Sequence, residues 1–121
     1  MMTEKTILIV EDEETNSLYL ESLLAINKYK YLLATDGEKA IEIVNNNKID
    51  LILMDIKLPR LNGLEATKII KKKYPDMPII AQTAYAMSGD KEKILAAGCD
   101  DYVSKPIDKD CLLKKIRDFI G

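Results

Sequence analysis

Three acidic residues, one threonine and one lysine stand where short apolar runs of this sequence end. Glu11-Asp12 follow residues 6–10, Asp55 follows 51–54, Thr83 follows 79–82 and Lys105 follows 102–104. If those runs are parallel strands of one sheet, their ends border one crevice, since open α/β sheets bind ligands beyond the carboxyl ends of their strands. Two negative charges about 4 Å apart repel by roughly 4 kcal/mol at an effective dielectric of ~20, so such a cluster requires a proton or a cation. Oxygen-only ligation suits Mg²⁺, which uses one or two carboxylates and keeps several waters. A hydroxyl and an ammonium beside the acids match the negative charge that a phosphoryl group in transit spreads over its oxygens. Asp55 is the candidate nucleophile, because an ionised aspartate forms an acyl phosphate without a general base.

The elements that must hold these residues alternate along the chain. Residues 6–10 read as a strand and 14–27 as a helix with Tyr19, Leu20, Leu23 and Leu24 on one stripe. A second strand at 31–34 leads into Thr35-Asp36-Gly37-Glu38, whose spacing predicts a reciprocal Thr35/Glu38 capping box for a helix reaching Asn46. Residues 51–54 form a continuous apolar run, as expected of a central strand covered on both faces. Asn62 caps a third helix to Lys73, and Pro75 and Pro78 then halt helix formation. Strand 79–82, helix 88–97 closed by Gly98 and a short strand at 102–104 follow. Asp108 caps a last helix, in which Leu112, Ile116, Phe119 and Ile120 make the apolar face. Five strand–helix repeats with right-handed crossovers imply an α/β, doubly wound parallel sheet with five helices on its two faces.

A chain of 121 residues, 47% hydrophobic and 31% charged, fits one domain over 1–121. Its 18 basic and 20 acidic residues are intermixed, with no basic stripe, so nucleic acid is not expected as a direct partner. No apolar run nears the roughly 20 residues needed to span a bilayer. The first residues carry Glu4 and Lys5 instead of a signal peptide's apolar core, so a cytoplasmic location without membrane contact is expected. There is no histidine, which excludes Ser-His catalysis and assigns any phosphohistidine to a partner. Cys99 and Cys111 are expected as two buried free thiols. Met54, Met77 and Met87 are expected to pack. Glu13 and Glu14 are expected at a solvated helix start, and the lysines at 71–73 at a solvated helix end. No nucleotide-binding glycine loop is present.

The segments ILIVED, LILMDIKLPRLNGLE, IIAQTA and DYVSKP resemble the response-regulator receiver family, in its order and spacing, over essentially the whole chain. The resemblance implies a flavodoxin-like (CheY-like) sheet of order 2-1-3-4-5. It implies that Asp55 accepts the phosphoryl group and that Glu11, Asp12, Asp55 and the backbone carbonyl of Lys57 hold Mg²⁺. Thr83 and Lys105 are similar to the family's phosphoryl-sensing pair, Tyr102 to its switch aromatic, and the Lys105-Pro106 bond is expected to be cis. Glu11 stands where aspartate is more frequent, adding one methylene. Asn16 within EDEETN, with AYAMSGD and GCDDYVSKPI, resembles stand-alone and hybrid-kinase receivers. A histidine kinase or histidine phosphotransfer protein is the implied donor. The target is expected on Ile94, Leu95, Ala97, Tyr102 and the exposed side of helix five. Lys57 and Tyr85 border the path of a hydrolytic water, and their bulk is expected to prolong the acyl phosphate.

The resemblance implies a signalling phosphoacceptor that assists its own phosphorylation and dephosphorylation, not a turnover enzyme. An aspartyl-phosphate phosphatase is the competing reading, but Ile56-Lys57 after Asp55 leaves no Asp-x-Asp acid and base, and no cap for a substrate fits. A phosphorylation-independent interaction module is a third reading, and an intact acid pocket disfavours it.

Overall fold

The computed structural model describes residues 4–84 and 89–121. The strands are β1 (Thr6–Val10), β2 (Lys30–Ala34), β3 (Leu51–Asp55), β4 (Ile79–Thr83) and β5 (Asp101–Ser104). The helices are α1 (Glu14–Ile26), α2 (Gly37–Asn46), α3 (Gly63–Lys73), α4 (Asp90–Ala97) and α5 (Lys109–Ile120). All strands are parallel in the order β2-β1-β3-β4-β5, the flavodoxin-like arrangement that the repeats and the resemblance imply. Tyr85 and Met87, and the helix start expected at Ser88, lie outside the described residues.

Strand alternation divides the core into two layers. Leu8, Val10, Ile52, Met54, Ile79 and Ala81 face α2, α3 and α4, where Ala40, Val44, Ala66, Ile70 and Ile94 meet them. Ile7, Ile9, Leu51, Leu53, Ile80 and Val103 face α1 and α5, against Leu20, Leu24, Leu112 and Ile116. Every residue of β3 and β4 is buried, as continuous apolar runs in a doubly covered sheet require. Met54 is fully buried and Met77 packs at the edge of the first layer, as expected.

Several local expectations are corrected. Asp36, with φ −151°, is the N-cap of α2 and accepts from the Lys39 N–H at 2.8 Å, so Thr35 stands one residue too early and Glu38 one short of the box position. The Asn62 and Asp108 caps form as expected, accepting from the N–H groups of Glu65 and Cys111. On α5 the buried face is Leu112, Leu113 and Ile116 with Ile120 beside it, and Phe119 lies exposed at its rim. On α1, Tyr19 is 41% exposed, because a step of about 100° per residue carries it off the Leu20–Leu24 line. Its hydroxyl donates to the Ile107 carbonyl at 3.3 Å. Cys99 is buried but Cys111 is exposed. Lys71 is not a solvated helix end, since it pairs with Asp100 at 2.7 Å while Asp100 accepts from the Ile79 N–H, clamping α3 to the start of β4.

Candidate functional site

The parity that sorts the core also builds the crevice. Ile9, Leu53, Ile80 and Val103 all face α1 and α5, and two residues farther along their rows stand Glu11, Asp55, Gln82 and Lys105. Asp55 lies abreast of Gln82 in the β3–β4 register. Thr83 has the parity of Ile79 and Ala81, on the α4 side, and donates to Asp90 Oδ2 at 2.8 Å. Asp55 and Thr83 are the last residues of their strands instead of the first beyond them.

One carboxylate oxygen each from Glu11, Asp12 and Asp55 lies within 4.8 Å of the others. Glu11 and Asp55 are buried and Asp12 is exposed. Lys105 Nζ stands 3.0 Å from Asp55 Oδ2 and 3.3 Å from Glu11 Oε1. The Lys57 N–H donates to Asp55 Oδ1 at 3.0 Å, and the Glu13 N–H to Glu11 Oε2 at 3.3 Å. Asn16 Nδ2 donates to Glu11 Oε1 and, at 3.3 Å, to Gln82 Oε1. The Lys105-Pro106 bond is cis. The structure thus brings Glu11, Asp12, Asp55 and Lys105 together as expected, with Thr83 at the end of the adjoining strand and the Lys57 backbone beside Asp55.

Charge is out of balance in this crevice. Burial, joined by the neighbouring Glu11 carboxylate, pushes Asp55 up to about 7 in spite of the Lys57 amide and Lys105. Burial works against ionised Glu11 too, but hydrogen bonds with Asp55 and Asn16 and the charge of Lys105 outweigh it, holding Glu11 below its ordinary value. For Lys105, burial is outweighed by its pairing with Asp55 and Glu11, and its pKa rises. One ammonium therefore does not neutralise the buried acids, and an all-oxygen donor set with surplus negative charge fits a hard divalent cation such as Mg²⁺.

Sequence reasoning missed two residues at this site. Gln82 is fully buried, and its signal was an amide ending the apolar run Ile79-Ile80-Ala81. Asp90 touches Thr83 across seven positions of sequence, which no periodicity reveals. Of the apolar residues expected to receive a partner, Ile94 and Ala97 are buried and Tyr102 packs partly against the core, while Leu95 is 48% exposed. Lys57 is exposed, and Tyr85 lies outside the described residues. Among the described residues, no helix is long and apolar enough to cross a membrane.

Residues 7–117 match the family described as the response regulator receiver domain. The polar-differentiation response regulator DivK of Brucella anthropi is 39% identical over 119 residues, covering 97% of each chain. The receiver domain of a sensor histidine kinase from Pseudomonas aeruginosa, solved with a magnesium ion coordinated in its active-site cleft, superposes with a TM-score of 0.92 at 37% identity over 98% of this chain and 99% of that one. A chain from the co-crystal structure of the Saccharomyces cerevisiae histidine phosphotransfer protein Ypd1 with the receiver domain of Ssk1 gives a TM-score of 0.90 at 35% identity, over 98% and 90% of the two chains.

Proposed function

Because this chain belongs to the response regulator receiver family of two-component signalling, we propose that Asp55 is its phosphoacceptor and that its charge partners are Mg²⁺ and Lys105. The observation that carries this reading is the clustering of Glu11, Asp12 and Asp55 oxygens within 4.8 Å, with Lys105 Nζ 3.0 Å from Asp55. Glu11, Asp12, Asp55 and the backbone carbonyl of Lys57 are the ligands we assign to the ion. When bound, the ion neutralises surplus carboxylate charge and the charge developing on phosphoryl oxygens.

In the transfer, an Asp55 carboxylate oxygen forms a bond to phosphorus while the phosphorus–nitrogen bond of a partner's phosphohistidine breaks, its electron pair returning to the imidazole. Lys105 offers positive charge on the side of Asp55 Oδ2, and Thr83 offers a hydroxyl to a phosphoryl oxygen of the product. The donor is a histidine kinase or a histidine phosphotransfer protein, a reading supported by the relative that was solved together with Ypd1. Thr83 and Tyr102 form the switch, and the downstream partner reads the face of α4, β5 and α5, where Leu95 and part of Tyr102 are exposed. Residues 1–121 act as one cytoplasmic receiver domain. Lys57 and Tyr85 slow hydrolysis, so Lys57→Asn and Tyr85→Glu should shorten the acyl-phosphate lifetime, and unchanged decay would refute that role.

The decisive experiment is incubation of wild type and Asp55→Asn with acetyl phosphate and Mg²⁺, followed by intact-mass analysis. A single hydroxylamine-labile phosphoryl adduct is expected on wild type alone. An equal adduct on Asp55→Asn would overturn the assignment.

A further inference from the structure

Gln82 is enclosed completely, and its Nε2 has no hydrogen-bond partner among the described residues. A buried donor left unpaired costs roughly 1–3 kcal/mol, and a methionine of similar length would fill the space without that cost. An amide at this position therefore calls for a reason beyond packing. It lies abreast of Asp55 and on the same side of the sheet as Glu11, toward α1, where its Oε1 meets Asn16 Nδ2 at 3.3 Å.

Asn16 Nδ2 donates both to Gln82 Oε1 and to Glu11 Oε1. A side-chain amide can turn by half a rotation and exchange its oxygen and nitrogen, and only its partners decide which way it faces. Two acceptors on one side fix the nitrogen toward Glu11. With an apolar residue at 82 the second Asn16 N–H loses its acceptor, and the amide can swing about its side-chain torsions and hold Glu11 Oε1 less firmly. The other Glu11 oxygen is held by the Glu13 backbone N–H, so Oε1 is the end whose placement depends on side chains. Outer partners that orient a ligand in this way commonly matter almost as much as the ligand.

We propose that Asn16 and Gln82 are a positioning pair that orients the Glu11 carboxylate for cation binding, with Gln82 acting through Asn16. This rests on the reading that Glu11 helps to hold Mg²⁺, and the test separates the two. Mg²⁺ binding by the unphosphorylated protein is measured by titration calorimetry for wild type, Gln82→Met, Asn16→Ala, the double variant and Glu11→Gln, with metal-free melting temperatures alongside. Gln82→Met is expected to melt at or above wild type yet bind Mg²⁺ roughly tenfold more weakly. The double variant is expected to bind no more weakly than Asn16→Ala, because the amide at 82 has no effect once residue 16 is gone. Wild-type affinity in Gln82→Met with loss of binding in Glu11→Gln would overturn the pair and leave the ligand assignment standing. Independent, additive losses, or an affinity that falls only in step with melting temperature, would overturn it equally. Equal binding by wild type and Glu11→Gln would remove both the ligand assignment and the inference.

Discussion

Thr83 Oγ1 donates to Asp90 Oδ2 across 2.8 Å, tying the last residue of β4 to the first residue of α4. A hydroxyl carries one proton, so a Thr83 drawn to a phosphoryl oxygen must release Asp90, and the carboxylate competes with the product. Hydrogen bonds to charged groups contribute about 1.5–3 kcal/mol, part of which the freed Asp90 recovers from water. Asp90→Ala is therefore expected to bind the phosphoryl mimic beryllofluoride, with Mg²⁺, roughly three- to tenfold more tightly than wild type. Unchanged or weaker binding in a calorimetric titration would show that Asp90 does not restrain Thr83.

Asp55 supplies a pH dependence whose sign follows from its shift. Its ordinary value is 3.8 and its folded value about 7, so between these the folded chain keeps a proton that the unfolded chain releases. The stability due to that proton is complete below the ordinary value and is lost as pH rises through 7. Glu11, held below its ordinary 4.5, has the opposite sign and acts only in more acid solution. Without metal, Asp55→Asn is expected to melt above wild type at about pH 8, by several degrees at about 4 °C per kcal/mol, and this advantage should shrink near pH 5. Mg²⁺ should raise the wild-type melting temperature more at the higher pH, because the ion displaces the proton. A difference between the two proteins that does not vary with pH would contradict the charge imbalance.

Lys105 is the one cation that pairs with both Glu11 and Asp55 among the described residues. Lys105→Met keeps the length of the side chain and removes the charge, which leaves two buried acids facing each other. The rate of phosphorylation by acetyl phosphate at saturating Mg²⁺ is expected to fall about 100-fold, the typical loss when one preorganised donor is removed from a site of developing charge. A rate within threefold of wild type would reassign Lys105 to structure alone.

The order of elements, both helix caps at Asn62 and Asp108, and four of the converging side chains were legible in the sequence because local rules govern them. Strand parity is such a rule, and it links Ile9 to Glu11 and Leu53 to Asp55 by counting alone. What escaped was decided by packing across the molecule. The exposure of Phe119 depends on how far α5 is rotated over the sheet, and the burial of Ile94 and Ala97 on how closely α4 lies against α3 and β5. The pairing of Lys71 required knowing that Asp100 would arrive beside it from another loop. Gln82 and Asp90 belong to the same group, since each gains its meaning from a contact with a residue on another element.

Gly63 and Gly98 are both glycines for reasons that can be told apart by experiment. A Cβ on Gly63 would lie 2.0 Å from the Asp55 carbonyl oxygen and 2.7 Å from Ile56 Cα, both of them backbone atoms. The start of α3 is thus pressed against the backbone where β3 ends at Asp55, and the Gly63 N–H donates to the Ile56 carbonyl at 3.2 Å. Gly98 instead closes α4 at φ +106°, where an added Cβ would meet only the Lys71 side chain, at 3.3 Å. Gly98→Ala carries left-handed backbone strain of about 1–2 kcal/mol far from the acids, and should lower the melting temperature while leaving the phosphorylation rate near wild type. Gly63→Ala must displace the backbone of Asp55 or Ile56, at a cost of about 1–3 kcal/mol or more, and should lower both melting temperature and phosphorylation rate. Measuring the two variants side by side at a temperature where both are folded separates placement of Asp55 from general stability. If Gly63→Ala loses stability but phosphorylates at the wild-type rate, the close approach of α3 does not set the position of Asp55.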